Sequence, residues 1–279
     1  MKSGQLALLT FFVVAVIIGV GRFVLMPLGW AIIALAMFVF VVGLGVVKDK
    51  GWLGILINER NVMSLSRVQM ILWTILILSA FVTIALQRVS RADKPLDIAI
   101  PQILWALMGI STTSLVGSPL LKSPKQSKTP TRNAVARLYM HDSKNSLRMK
   151  TESNEGRNVT IDEVAARSDI QAFKSEHADG TLYVRPKNEP AQFSDIFSGD
   201  EITNYDLPDV AKVQMFFFTL VGVVSYAVLL WTVMSTNATS PEKLSAFPDL
   251  SEGLVALLGI SHAGYLVNTA VDHTPTQPG

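Results

Sequence analysis

No cysteine occurs in the 279 residues, so disulfides, thiolate metal sites and thiol nucleophiles are excluded. Charge is scarce as well. Asp, Glu, Lys and Arg make up 16% of the chain, against about 25% in an ordinary soluble domain. With 49% of residues hydrophobic, that deficit points to lipid as the solvent. The net charge of +2 is too small to imply nucleic acid as a partner. A phosphate loop, a dinucleotide fingerprint and a Ser-His-Asp arrangement are also missing. His141, His177, His262 and His273 are scattered without metal-ligand spacing. The chain therefore reads as non-enzymatic, with no cofactor and no metal.

What it does have is long apolar runs, and a run of about 20 residues crosses a hydrocarbon core. Six spans are expected, near 6–20, 30–47, 66–88, 98–121, 210–231 and 251–271. The first follows a lone Lys2, as a signal peptide would, but Arg22-Phe23 interrupts it where a small-residue cleavage site would stand. It is read as a retained helix. The fold class is thus an all-α membrane protein of about six transmembrane helices, with a duplicated parallel two-helix hairpin and a small mixed cytoplasmic insert.

Residues 1–50 form an N-terminal hairpin, 51–65 a juxtamembrane segment, 66–121 a first repeat hairpin, 122–206 the insert, 207–271 a second repeat hairpin and 272–279 a disordered tail. The juxtamembrane segment mixes Trp52, Leu53, Ile55 and Leu56 with Glu59, Arg60 and Asn61. It reads as an amphipathic stretch in the headgroup plane or as a loop with an aromatic anchor. Ser, Lys, Pro and Thr dominate 122–132, a composition that does not order itself. Further on, Thr160-Ile161-Asp162-Glu163 has capping-box spacing and predicts a short helix ended near Gly180, then a strand over 181–184. The insert is too small and polar for a confident core of its own, which makes it a docking region for a cytoplasmic protein. Asp209 is placed to cap the fifth span.

Basic residues set the expected orientation. Lys2, Lys48, Lys50, Arg60, Arg67, Lys122, Lys125, Lys128 and Lys212 fall on one side, which makes it cytoplasmic along with both termini. Arg22, Arg88, Arg91 and Lys94 fall on the other.

The hairpins share strings. Ser66-Arg67-Val68-Gln69-Met70 recurs as Ala211-Lys212-Val213-Gln214-Met215, and Ala106-Leu107-Met108-Gly109-Ile110-Ser111 as Ala256-Leu257-Leu258-Gly259-Ile260-Ser261. Parallel repeats suit an axis along the bilayer normal and a homo-oligomer. Arg67 and Lys212 read as anchors reaching lipid phosphates, or as a basic ring at a pore mouth. Gln69 and Gln214 need protein partners, and Thr74 with Ser111 and Thr219 with Ser261 are expected to touch within each hairpin. Gly109, Thr113 and Gly117, with Ser111, Thr112, Ser114 and Ser118, line the first returning helix. Gly259, Ser261, Ala263, Gly264 and Asn268 line the second. Such small and polar residues serve close helix packing through the glycines, or face a water path in an oligomer. His262 stands where the first copy has Thr112, as a proton relay or charge gate, or as a neutral hydrogen-bonded side chain. Asp195, Asp200, Glu201, Asp206 and Asp209 hold a cation, or form a solvated surface or cap.

The repeated blocks, with Ser194-Asp195-Ile196-Phe197-Ser198-Gly199-Asp200-Glu201, resemble a two-helix module of uncharacterised bacterial integral-membrane proteins. That resemblance covers the chain from about residue 60 and implies a bacterial inner-membrane location, with no activity to carry over. The leading functional expectation is a homo-oligomeric channel or pore-like effector in contact with membrane lipid. A scaffold subunit, and a small-solute transporter with a midplane cavity lined by His262 and the serines, are the alternatives.

Overall fold

The computed structural model describes residues 2–48, 50–89, 91–141 and 160–277. It is 67% helical with almost no sheet, an all-α membrane protein. Six helices are long and apolar enough to cross a membrane: α1 (Lys2–Phe23), α2 (Leu28–Val47), α3 (Leu65–Arg88), α4 (Gln102–Gln126), α8 (Val210–Thr236) and α9 (Glu252–Ala270). Even α9, with 19 residues, spans about 28 Å at about 1.5 Å per residue, close to the hydrocarbon thickness. Between α4 and α8 lie α5 (Arg132–His141), α6 (Ile161–Ala165), α7 (Ile170–His177) and the two-residue strands β1 (Ala178–Asp179) and β2 (Leu182–Tyr183), paired antiparallel.

The chain divides into two compact units, the first comprising Met1–Ile57, Leu65–Leu115 and Gln214–Ala263. Its core gathers large side chains, among them Trp30, Trp73, Leu104, Leu107, Tyr226 and Leu258. The turn between α1 and α2 is fastened to α3 by polar groups: Gln87 Nε2 donates to the carbonyls of Gly21 (2.9 Å) and Val24 (2.7 Å), and Trp30 Nε1 donates to Ser79 Oγ (2.9 Å). Helix α4 starts after Pro101 instead of near residue 98, because the residues before it are extended. The Ala99 amide donates to the Ser245 carbonyl (2.8 Å) and the Phe247 amide to the Ala99 carbonyl (2.9 Å), a parallel bridge between the two loops.

The second unit comprises Asn58–Ser64, Val116–Val213 and Gly264–Gly279. Here several expectations are corrected. Helix α4 continues through Pro119 and Pro124 to Gln126, where a linker was expected. The Thr181 amide donates to the Lys125 carbonyl (3.0 Å), and the Lys125 side chain is itself buried, which holds this end in place. The insert is ordered around a core that it shares with the juxtamembrane segment, built from Val62 of that segment and Tyr139, Val164, Ile170, Phe173 and Ile202 among others. Tyr139 meets Phe173 edge to face at 4.9 Å, and Tyr183 stacks on Tyr205 at 4.2 Å. Residues 58–64 belong to this unit and do not lie as a free interfacial segment: Asn61 Nδ2 donates to the carbonyls of Pro186 (3.0 Å) and Glu189 (2.9 Å). The tail is ordered through Gln277, whose amide donates to the Thr129 carbonyl (2.9 Å), while the Thr131 amide donates to the Pro275 carbonyl (2.9 Å).

Two local expectations are met by their mechanism. Thr160 and Glu163 form the reciprocal capping box of α6, and Asp209 Oδ1 accepts from the amides of Ala211 (2.9 Å) and Lys212 (3.2 Å) at the start of α8. Gly180 turns the chain between β1 and β2 at φ +63°, and a Cβ there would lie 2.2 Å from the Lys125 carbonyl oxygen. Gly180→Ala therefore meets both a left-handed backbone and a clash with main chain. It is expected to destabilise the second unit by at least about 2 kcal/mol, read as faster limited proteolysis between residues 126 and 210.

Candidate functional site

Polar side chains from four helices converge inside the first unit. Gln69, one turn into α3 and 1% exposed, directs Nε2 at Thr219 Oγ1 of α8 (2.5 Å) and at the Met215 carbonyl (3.5 Å). The same nitrogen lies 3.4 Å from His262 Nε2 of α9, and His262 Nδ1 lies 2.6 Å from Ser114 Oγ of α4. An amide nitrogen only donates, so in this arrangement His262 Nε2 accepts and the ring proton on Nδ1 donates to Ser114. Thr219, Gln69, His262 and Ser114 form one continuous hydrogen-bonded chain across the bundle.

This layer is not saturated by protein. Gln69 Oε1, Ser66 Oγ, Trp73 Nε1, Ser111 Oγ and Ser261 Oγ are buried with no hydrogen-bond partner among the described residues. Ser66 and Trp73 lie one turn either side of Gln69, Ser111 lies one turn from Ser114, and Ser261 adjoins His262. Each such atom costs about 1–3 kcal/mol if left unpaired. A layer of this chemistry favours water or a small polar solute that can donate and accept.

The other residues singled out in the sequence go elsewhere. The expected Thr74–Ser111 and Thr219–Ser261 contacts do not form: Thr74 is exposed, Thr219 serves Gln69, and both serine hydroxyls lack partners. Gln214 is exposed, and no side-chain hydrogen bond of it exists among the described residues. The cause is helical phase. On the outgoing helices the first copy buries Ser66, Gln69 and Trp73, and the second buries Lys212, Met215 and Thr219, one position later in the shared string. On the returning helices Leu104, Leu107, Ser111 and Ser114 are matched by Val255, Leu258, His262 and Tyr265, again one position later. One position is about 100° of rotation, so identical strings present different faces. His262 therefore corresponds spatially to Ser111 and not to Thr112.

Thr112 and Thr113 are exposed and return their hydroxyls to the carbonyls of Met108 and Gly109, each at 2.8 Å. The glycines do not mediate close backbone approach. A Cβ on Gly109 or Gly264 would meet nothing within 4 Å, and one on Gly117 or Gly259 would only reach methyls of Leu266 (3.5 Å) and Ile110 (3.6 Å). Large side chains such as Trp73, Tyr226 and Met215 fill the interior and keep helix backbones apart.

In the second unit one expected anchor, Lys212, and one residue of the expected cation site, Asp200, belong to the same network. Lys212 is buried and does not reach out as an anchor; its Nζ donates to the Ser198 carbonyl (2.5 Å) and lies 3.2 Å from Asp200 Oδ2. Lys122 Nζ approaches the same oxygen at 3.0 Å, and Arg60 Nη2 donates to Asp200 Oδ1 at 2.7 Å. Burial alone would raise the Asp200 carboxyl, but Lys122, Lys212 and Arg60 hold it well below the usual carboxylate range. Its neighbour Glu201 pairs with Lys125 Nζ at 2.6 Å. Arg185 binds Asp195 (2.5 Å), Asp206 lies 3.8 Å from His141, and Asn268 donates to Asp209 (2.9 Å). Asp195, Asp200, Glu201 and Asp209 are thus occupied by protein donors while Asp206 stays exposed, and no group of three or more metal-binding side chains exists among the described residues. In the first unit, Arg67 likewise donates to the Ile57 carbonyl (2.6 Å).

Sequence reasoning missed Ser79, Gln87 and the Ser118–Tyr265 hydrogen bond (2.8 Å). It also counted Arg60, Lys122 and Lys125 only as markers of orientation. A signal was present for Lys122 alone, which abuts the apolar run ending at Leu121, where a cation needs a partner; Arg60 and Lys125 stand among polar residues and proline. Comparison with known proteins returned nothing: no family model, curated protein or solved structure matches the chain.

Proposed function

We propose that this chain is a non-enzymatic bacterial inner-membrane protein, with both termini cytoplasmic, that lets a small polar species pass through the interior of its own helical bundle. It is a channel subunit that associates with further copies of itself, and the membrane-facing Gly109, Thr113 and Gly264 are the surfaces those copies would cover. The observation that supports this reading is the layer of Gln69, Thr219, His262 and Ser114 with unpaired polar atoms on either side. A purely structural bundle gains nothing from such atoms, since apolar residues of the same shape serve packing as well or better. The path runs inside each copy and not along a shared axis, because Ser111, Ser114, Ser261 and His262 point inward. A transporter would use the same layer with a bound solute.

The scaffold reading draws on a different observation, the second unit's own core and its dense ion pairs, which suit a docking platform. Flux of protons and small ions in liposomes containing the purified chain separates the two. Permeation predicts flux above protein-free liposomes, reduced in Gln69→Leu and in His262→Leu, each folded at a stability cost of no more than about 1–3 kcal/mol for each partner left unpaired. Liposomes that stay as tight as protein-free ones across pH and voltage would favour the scaffold.

A further inference from the structure

Among the described residues, the network around Asp200 carries more positive charge than its carboxylates balance. Arg60 precedes α3, Lys122 stands near the end of α4 and Lys212 lies in the first turn of α8. All three meet the one carboxylate of Asp200, at 2.7, 3.0 and 3.2 Å. Their side chains are only 9%, 14% and 6% exposed. Among the described residues no second carboxylate lies within ion-pair reach of any of them. The surrounding acids are committed: Asp195 to Arg185, Glu201 to Lys125, and Asp209 to the α8 amides and Asn268. Three cations against one anion leave two charges in excess in a place where each buried ion costs several kcal/mol unless paired.

The donors are also unfilled. An ammonium has three N–H groups; Lys122 uses one, on Asp200, and Lys212 uses two, on Asp200 and the Ser198 carbonyl. Because both ammoniums touch the same Asp200 oxygen, their remaining donors start from neighbouring points. A cavity of about 10 Å³ beside Arg60 and Asp200 holds about one water molecule and is too small for a polyatomic anion. An incoming group must therefore engage the lysine side of the network.

We infer that Lys122, Lys212 and Arg60 form a binding site for a phosphate-class oxyanion, supplied by an anionic lipid headgroup or by free phosphate. Free phosphate carries close to two negative charges and at least three acceptor oxygens, which matches the excess and the open donors, whereas a phosphodiester headgroup brings one charge and two free oxygens and offsets half of that excess. Lys122 and Lys212 also sit near the ends of helices long and apolar enough to cross a membrane, the depth that headgroup phosphates of a bilayer around them would occupy.

The test uses the full chain in nanodiscs, with thermal stability as the readout in both arms and retention of radiolabelled inorganic phosphate as a second readout in the phosphate arm. One arm titrates inorganic phosphate in neutral phosphatidylcholine; the other raises the fraction of phosphatidylglycerol without phosphate. A saturable stabilisation in the first arm alone identifies a soluble oxyanion, and one in the second identifies the headgroup; both uphold the site. Lys122→Gln is expected to weaken binding about tenfold, the worth of one charge-assisted hydrogen bond. Asp200→Asn removes the competing carboxylate and is expected to tighten it, an effect no purely structural ion pair produces. No saturable effect in either arm, Lys122→Gln titrating like the native chain, or weaker binding by a folded Asp200→Asn would each overturn the site. If Asp200→Asn does not fold, the native chain and Lys122→Gln decide the matter.

Discussion

Glu201→Ala is expected to unfold the second unit more readily than the loss of any other ion pair within it. Glu201 is 1% exposed and its carboxylate is fully engaged. Oε1 accepts from Lys125 Nζ at 2.6 Å, and its two oxygens accept the amides of His273 (3.1 Å) and Thr274 (2.7 Å). Removing it strands the Lys125 ammonium, 3% exposed, with the Val271 carbonyl as its remaining acceptor. It also leaves two tail amides without partners. Breaking a buried pair from one side costs about 3–5 kcal/mol, enough to release both the α4 terminus and the tail. Glu201→Gln keeps the oxygen acceptor and loses the charge, so its cost should be smaller. Thermal unfolding of the full chain and proteolysis of the C-terminal 272–277 segment measure the effect. Glu201→Ala behaving within about 1 kcal/mol of the native chain would mean that the pair is no more than a surface contact.

Asp200→Ala comes second. It leaves three cations facing one another, so the loss includes repulsion as well as a missing attraction. A cost of about 3–5 kcal/mol is again expected. The ionised carboxylate is favoured in the folded state, so its contribution is complete above the ordinary carboxylate pKa of about 4. It is lost only as the pH falls through the much lower folded value. Between neutral and mildly acid pH the native chain should therefore lose no stability through Asp200. The difference between native and Asp200→Ala should stay constant over that range and shrink only in strong acid. A gap that closed already near about pH 5–6 would show that Asp200 titrates as an ordinary or raised carboxyl.

The outline of the fold was legible because it depends on local signals. Apolar run length marked the six spans, the Thr160 capping box marked α6, and Asp209 marked the start of α8. Ends set by tertiary contacts were not legible. Helix α4 outlasts two prolines because Lys125 is held at its far end, and the tail is ordered because Glu201, far earlier in the chain, accepts its amides. Half of the interior layer was legible: Gln69, Thr219, His262 and Ser114 all stood out as polar residues within apolar helices. Which of them meet was not, because the repeated strings suggested equal roles for Gln69 and Gln214. A rotation of one position buries the first and exposes the second. No pattern in a single string reports that rotation; it follows from which large side chains, Trp73 in one copy and Met215 in the other, fill the centre.

Permeation through the bundle requires water to reach the interior layer, and the absence of native cysteine allows this to be measured cleanly. Ser111→Cys and Ser261→Cys are near-isosteric changes at two of the unpaired hydroxyls, and Leu104→Cys, equally buried in the apolar core, is the control. A small methanethiosulfonate reagent modifies thiolates, which need water to form. The prediction is that the two serine-site cysteines react in the native protein in liposomes well above the Leu104→Cys rate. Reaction at both serine sites no faster than at the control would mean a dry interior, and would contradict permeation through the bundle.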